Sequence, residues 1–392
     1  MYTRPIISKS SPVRRGRFGR NEIAIIGTTC QEVKALAFEL THSFFSGYKV
    51  GYVDADHFSS ELEKELGSDS NSALSHGACT EFYDKITFTR LDFRKSFNNY
   101  ELKLLFNDKD LVFVNGNHFK ATQQILVLDP EKLEKLPSKL HKITNVKAIL
   151  LKDGVSEIPK FIENHIGSSI QHIPVLNWEN LYGIRKIIEE LINTNKPPLN
   201  GLVLAGGLSK RMGGKDKTKL NFHGRSQREH VFHLLDDICD NTYMSCRKEQ
   251  AKEFKGKYPY ITDSFLGLGP LGALLSAHRE HPDCSWLVVA SDLPFVCQEA
   301  LKYLISHRNE SALATAFSHP TSGLPEPLLT IWEPQSYMTL LLYMSQGLNN
   351  LSEILMNCQI EQLKTPVPEV LANVDTPDEL DEVIRMLSND IS

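Results

Sequence analysis

The 392-residue chain has no apolar run approaching the roughly 20 residues that a membrane-spanning helix needs, so no crossing of a bilayer is expected. None of its seven cysteines, Cys30, Cys79, Cys239, Cys246, Cys284, Cys297 and Cys358, stands in a CxxC pair. The odd count and wide spacing point to free thiols in a reducing cytoplasm rather than a disulfide framework. They are too scattered for a zinc site. An excess of positive charge is missing too. The formal net charge is −5, which excludes a globally basic nucleic-acid binder and leaves room only for a local basic site, so no nucleic-acid partner is expected. Hydrophobic residues make up 41% and charged residues 23%, enough to bury proper cores in two or three domains.

Basic charge is instead concentrated in two places. The first twenty residues, MYTRPIISKSSPVRRGRFGR, carry six basic residues and no acidic one. They lack an amphipathic period, so residues 1–20 read as a disordered basic arm rather than a transit peptide. The second concentration follows Leu202. Between the two lies Thr194-Asn195-Lys196-Pro197-Pro198-Leu199-Asn200, whose paired prolines suit an extended linker over 194–200. The predicted domains are therefore 21–193 and 201–392. Each opens with a short continuous apolar run and a glycine turn, Ile23-Ala24-Ile25-Ile26-Gly27 and Leu202-Val203-Leu204-Ala205-Gly206. Such runs suit strands buried on both faces.

Further strands are expected at 49–53, 111–115 and 146–151, then at 242–246, 286–290, 312–317 and 328–331. Helices are expected at 31–45, 61–66 and 181–193, then at 227–238, 270–278, 298–308, 337–344, 348–356 and 377–387. The alternation predicts α/β architecture: two Rossmann-like three-layer domains with mostly parallel sheets.

The stretch Leu202 to Leu220 reads LVLAGGLSKRMGGKDKTKL. A strand ending in Gly206-Gly207 delivers backbone to the carboxyl edge of a parallel sheet, where open α/β folds take ligands. Glycines let successive N–H groups approach a phosphate. Lys210, Arg211, Lys215, Lys217 and Lys219 add charge, lysine as a point donor and arginine as a fork. The loop suits a polyphosphate but is not a P-loop, because G-x-x-x-x-G-K-[ST] is absent. Farther on, Asp292 follows the apolar run Trp286-Leu287-Val288-Val289-Ala290 at a strand's carboxyl end. There it is either a Mg²⁺ ligand, since that ion takes one or two carboxylates plus substrate phosphates, or only a turn-forming or capping residue.

LAGGLSKRMGGKDKTKL resembles the signature of the molybdenum cofactor guanylyltransferases, the MobA-like nucleotidyltransferases: LAGG, a few residues, RMGG, one residue, DK. Three later stretches are similar in order and spacing: DSFLGLGPLG from Asp263, WLVVASDLPF from Trp286 and NVDTPDEL from Asn373. The resemblance covers about residues 199–387. It implies that Leu204, Ala205 and Gly206 contact the base and Gly207 the phosphates. It further implies that Lys217, aided by Arg211, binds phosphate and stabilises the departing pyrophosphate, that Asp263 helps hold the nucleotide, and that Asp292 holds Mg²⁺. Asp375 stands where the family usually has Asn. With Asn373 it is a candidate second metal-ligand position or, with Thr376-Pro377, a helix cap. In Met244-Ser245-Cys246-Arg247, Ser245 or Arg247 stands near a family ribose contact. Pro325-Glu326-Pro327-Leu328 resembles a segment lining the acceptor side, or is a strand-entry turn.

In the first half, Ile25-Ile26-Gly27-Thr28-Thr29-Cys30-Gln31-Glu32-Val33-Lys34 stands where a P-loop would, between strand and helix. Glu32 replaces the second glycine, Val33 the lysine and Lys34 the Ser/Thr. A carboxylate repels phosphate, so hydrolysis of ATP or GTP here is not expected. YKVGYVDADH from Tyr48, DLVFVNGNHFK from Asp110 and residues 173–182 are nonetheless similar to the MobB-like GTP-binding proteins of the same pathway. The implied role is docking or cofactor presentation. Asp54, Asp56 and His57 are either a metal cluster or a polar loop.

The resemblance implies a cytoplasmic Mg²⁺-dependent enzyme that transfers GMP from GTP to molybdopterin, with molybdoenzyme apoproteins as eventual recipients. Alternatives are CTP as donor, another acceptor such as a sugar phosphate, or a non-catalytic cofactor carrier.

Overall fold

The computed structural model describes residues 17–55, 72–206 and 224–372. They form two compact units. One is Asn21–Ile192, and the other is the described chain from Asn193 together with Arg17–Arg20. Both are α/β with mostly parallel sheets, as the alternation of runs predicts. The expected helices at 61–66 and 377–387 lie outside the described residues.

In the N-terminal unit, β1 (Asn21–Ile26) sits centrally. The helix Cys30–Phe44 follows it, then β2 (Val50–Val53), and later β5 (Leu111–Asn115), β6 (Gln123–Leu128), β7 (Val146–Leu151) and β8 (Val175–Asn177). The sheet order is β2-β5-β1-β6-β7-β8, all parallel. A separate antiparallel hairpin, β3 (Thr80–Asp84) with β4 (Thr89–Phe93), precedes β5. The helix Cys30–Phe44 starts with a capping box. The Thr29 side chain accepts from the Glu32 backbone N–H, and Glu32 reaches back to Thr29. Its buried residues Val33, Leu36, Ala37, Leu40 and Phe44 pack with Ile184, Ile188 and Ile192 of the helix Leu181–Thr194 on one face of the sheet. Ile26, Leu126, Leu128, Ile149 and Ile162 fill the other face. Gly27 has φ +108°, and a Cβ there would stand 2.1 Å from the Val127 carbonyl oxygen. Only glycine allows the turn from β1 into the helix.

The C-terminal unit holds β9 (Leu199–Leu204), β10 (Asn241–Cys246), β11 (Tyr260–Thr262), β12 (Ser285–Ala290), β13 (Ala314–Ser318), β14 (Pro325–Trp332) and β15 (Glu361–Lys364). Their order is β11-β10-β9-β12-β14-β13-β15. Only β14 runs against its neighbours β12 and β13. Residues alternate along β9 and β12 between two apolar layers. Val203, Leu287 and Val289 meet Val231, Leu235, Leu301 and Leu304 of the helices Gln227–Asp236 and Gln298–Ser306. Leu202, Trp286 and Val288 meet Leu271, Leu274, Leu340, Leu351 and Ile354 of the helices Pro270–Glu280, Ser336–Ser345 and Leu351–Met356. Two covered faces give three layers. Of the basic arm, Arg17–Arg20 are described, and they close onto this unit. The Arg17 and Phe18 backbone N–H groups donate to Asp283 Oδ1, and the Phe18 ring stacks on Tyr337 at 6.1 Å between centroids.

Candidate active site

β9 is flanked by β10 on one side and β12 on the other, all three parallel. Their shared carboxyl edge lies where the strand order reverses, the usual ligand crevice of such sheets. Leu204 ends β9 there, opposite Ala290 at the end of β12. The Ser291 hydroxyl donates to the Leu204 carbonyl at 2.8 Å. The loop after β12 is thus tied to the loop after β9, and Asp292, half-buried, begins at that tie. Its base is held from below by buried Gln227, whose Nε2 donates to the Leu293 carbonyl at 2.8 Å.

On the β10 side, the Ala205 N–H donates to the Ser245 carbonyl at 3.1 Å. The Asp263 N–H donates to the Cys246 carbonyl at 2.9 Å, and the Ser245 hydroxyl donates to Asp263 Oδ1 at 2.9 Å. Asp263 thereby leans over the start of the glycine loop. A Cβ on Gly206 would lie 3.7 Å from Asp263 Oδ2, an ordinary contact. Burial pushes the Asp263 carboxyl above the usual range, while Ser245 and the Arg247 charge pull the other way. Gln250 fixes Arg247 from two directions. Its Oε1 accepts from the Arg247 backbone N–H at 3.2 Å and from Nε at 3.3 Å.

The antiparallel partner β14 brings its N-terminal end to the same edge. Register pairs Val289 with Leu329, so the start of β14 lies beside the end of β12. Burial first, and then the Asp292 charge, raise the Glu326 carboxyl, with His319 opposing. Its Oε1 accepts from the Leu328 N–H at 2.9 Å, which is a strand-entry turn in its own right.

Leu204, Ala205, Gly206, Asp263 and Asp292 therefore converge on one sheet edge, with Ser245 and Arg247 beside them. Gly207, Lys210, Arg211, Lys215, Lys217, Lys219, Asn373 and Asp375 lie outside the described residues. In the N-terminal unit Asp56 and His57 do too, while Asp54 accepts from the Tyr52 hydroxyl at 2.6 Å and from Asn115 Nδ2 at 2.8 Å. Sequence reading missed Gln250 and Ser291. Neither carries a spacing signal, since each acts by holding a backbone or an arginine in place. Among the described residues no helix is long and apolar enough to cross a membrane.

A profile of the MobA-like NTP transferase domain matches residues 201–363. A molybdenum cofactor biosynthesis bifunctional protein of Synechocystis is 27% identical over 205 residues, 50% of this chain and 58% of that protein. The chain thus covers little more than half of that relative's length. A molybdenum cofactor guanylyltransferase of Rhodopseudomonas palustris is 32% identical over 146 residues, 35% of this chain and 67% of the relative. Among solved structures, a MobB protein homolog from Bacillus stearothermophilus is 14% identical, covering 44% of this chain and 99% of its own, with a TM-score of 0.32.

Proposed function

Because the chain belongs to the molybdenum cofactor guanylyltransferases, we propose that its C-terminal unit transfers GMP from GTP to molybdopterin. A phosphate oxygen of the acceptor attacks the α-phosphorus of GTP. The new O–P bond forms as the α–β anhydride breaks, and pyrophosphate leaves. The attacking oxygen is already ionised, so no general base is required. Catalysis then rests on positioning and on cations placed where charge builds.

The observation that carries this reading is the convergence of Gly206, Asp263 and Asp292 on one carboxyl edge, at the mouth of the lysine-rich loop. Gly206 leaves the backbone open for the nucleotide. Asp263, steadied by Ser245, faces its base and ribose end. Lys217 and Arg211 neutralise the departing diphosphate. Among the described residues no three His, Cys, Asp or Glu side chains cluster tightly enough to cage a metal. Two hard carboxylates stand near this edge, Asp292 and Glu326, the charge of the first raising the second. That set fits Mg²⁺, which takes most of its remaining ligands from water and phosphate. When bound, the ion would supply charge neutralisation on the phosphates, held by Asp292 with Asp375 as the further candidate.

The test is pyrophosphate release with molybdenum-loaded molybdopterin and GTP, CTP or ATP in turn. Turnover with GTP alone is expected. Asp292→Asn should lower it by about 10²–10³-fold, the scale of a lost charge-stabilising group. Turnover with CTP but not GTP would reassign the donor. Consumption of no triphosphate would end the transferase reading in favour of a carrier.

A further inference from the structure

In the N-terminal unit the loop after β1 stands where a P-loop would cradle phosphate, and a side chain already fills the position an anion would take. The Glu32 carboxylate lies in the first turn of the helix Cys30–Phe44. Its Oε2 accepts from the Thr29 hydroxyl at 2.9 Å and the Thr29 backbone N–H at 3.4 Å, and it is bonded by the Thr28 hydroxyl as well. Its Oε1 takes the Lys152 ammonium at 2.5 Å. These are the donors that would otherwise meet a phosphate: hydroxyls, an N–H at a helix start, and a lysine.

Lys152 arrives from just past the carboxyl end of β7, and it is shared. Its Nζ lies 3.3 Å from Asp129 Oδ2, a carboxylate with no exposed surface, and the Thr28 hydroxyl stands 2.6 Å from the same oxygen. Two carboxyl groups thus face one ammonium, and the single Thr28 hydroxyl lies between them. Burial alone would raise the Glu32 carboxyl, but Lys152, Thr28 and Thr29 together bring it down to about 2. The carboxylate is therefore ionised throughout the physiological range. Gly27 holds the loop tight against Val127, so the cradle keeps its shape around this occupant.

We propose that Glu32 is the resident ligand of this loop, an internal carboxylate that occupies the anion cradle and closes the N-terminal unit to phosphoryl ligands. The proposal differs from a merely degenerate loop. It holds that the cradle persists and that a carboxylate, with Lys152 as its counter-ion, stands in for the phosphate. It also assigns all nucleotide binding by this chain to the C-terminal unit.

The experiment counts sites for inorganic pyrophosphate on the full chain by isothermal titration calorimetry. Wild type and Lys152→Met should bind the same number, because the lysine is already engaged. The double variant Glu32→Ala/Asp129→Asn frees Lys152 while keeping the hydrogen-bonding volume of residue 129. It should gain one site per chain, and adding Lys152→Met should remove that site. A wild-type count that falls by one in Lys152→Met would overturn the proposal, since the loop would then be an open anion site. A folded double variant with the wild-type count would overturn it too, because no cradle would remain to be freed. Should the double variant not fold, Glu32→Ala alone, which leaves Lys152 facing only Asp129, takes its place, with the same gain of one site expected and the same overturning result. Since every comparison is a difference between variants of the N-terminal loop, its outcome is independent of whether the C-terminal unit is a guanylyltransferase.

Discussion

At the scale of single residues, the two units hold half-buried carboxylates in opposite senses. Asp263 is raised by burial and only partly offset by Ser245 and Arg247, whereas Glu32 is held far below its ordinary value by a lysine and two hydroxyls. Removing the Ser245 hydroxyl takes away a bond that favours the ionised Asp263. Ser245→Ala should therefore lift that carboxyl further. The rise in KM for GTP on the acid side should then begin at higher pH than in wild type, which a KM–pH profile reads directly. For Glu32 the folded value lies below the unfolded 4.5, so its stabilisation is present above pH 4.5 and is lost as pH falls towards 2. Glu32→Gln should cost on the order of 1–2 kcal/mol at pH 7, discounted because the side chain is partly solvated. The gap from wild type should shrink by pH 3, as measured by denaturant unfolding of the N-terminal unit at both pH values. The meeting of Gly206, Asp263 and Asp292 at one sheet edge was legible, because each stands in a motif of fixed spacing at a strand's carboxyl end. Residues were illegible where one side chain only holds another, as Gln250 holds Arg247.

At the scale of elements, the strands with long apolar runs read cleanly: Leu111–Asn115 and Val146–Leu151 agree with expectation residue for residue. β6 did not, although it pairs directly with β1. Its first residues, Gln123 and Gln124, are polar but buried. The Gln124 side chain is satisfied by the Lys142 carbonyl and the Thr144 N–H at 2.7 Å each, so a tertiary partner replaces the apolar signal. The direction of β14 was hidden for a related reason: pairing partners, not composition, set strand polarity. The helix Pro270–Glu280 was visible from its proline start and positions the loop after Asp263. That packing has no slack at Gly272, where a Cβ would meet the Phe265 carbonyl oxygen at 2.2 Å. Gly272→Ala should therefore push helix and loop apart, costing roughly 1–3 kcal/mol of stability in the C-terminal unit. It should raise KM for GTP more than it lowers kcat, because the disturbed loop borders Asp263 rather than the reacting phosphate. Thermal unfolding together with steady-state kinetics would separate these two effects.

At the scale of the whole molecule, the two compact units meet in sequence at Ile192 and Asn193, just before the proline-bearing stretch, and the expected linker 194–200 is shortened at both ends by the helix Leu181–Thr194 and by β9 from Leu199. The basic arm was harder to read, because nothing in Arg17–Arg20 announces a partner more than 260 residues away at Asp283. Every residue assigned here to nucleotide transfer lies after Leu199, so the C-terminal unit should carry the reaction by itself. A protein beginning at Asn193 should release pyrophosphate from GTP with kcat/KM within about threefold of the full chain, when free molybdopterin is the acceptor. It should also unfold at lower temperature than a version that retains Arg17–Arg20 through a short linker. The lost contacts are the pair of N–H bonds to Asp283 and the Phe18–Tyr337 stack, and each is worth about 1 kcal/mol or less. Asp283→Ala in the full chain should reproduce most of that loss while leaving GTP turnover unchanged, since Asp283 lies in the turn that opens β12 at its amino end, across the strand from Asp292. A fall in turnover greater than tenfold on removing residues 21–192 would mean that the N-terminal unit takes part in the chemistry, and the division of labour argued here would fail.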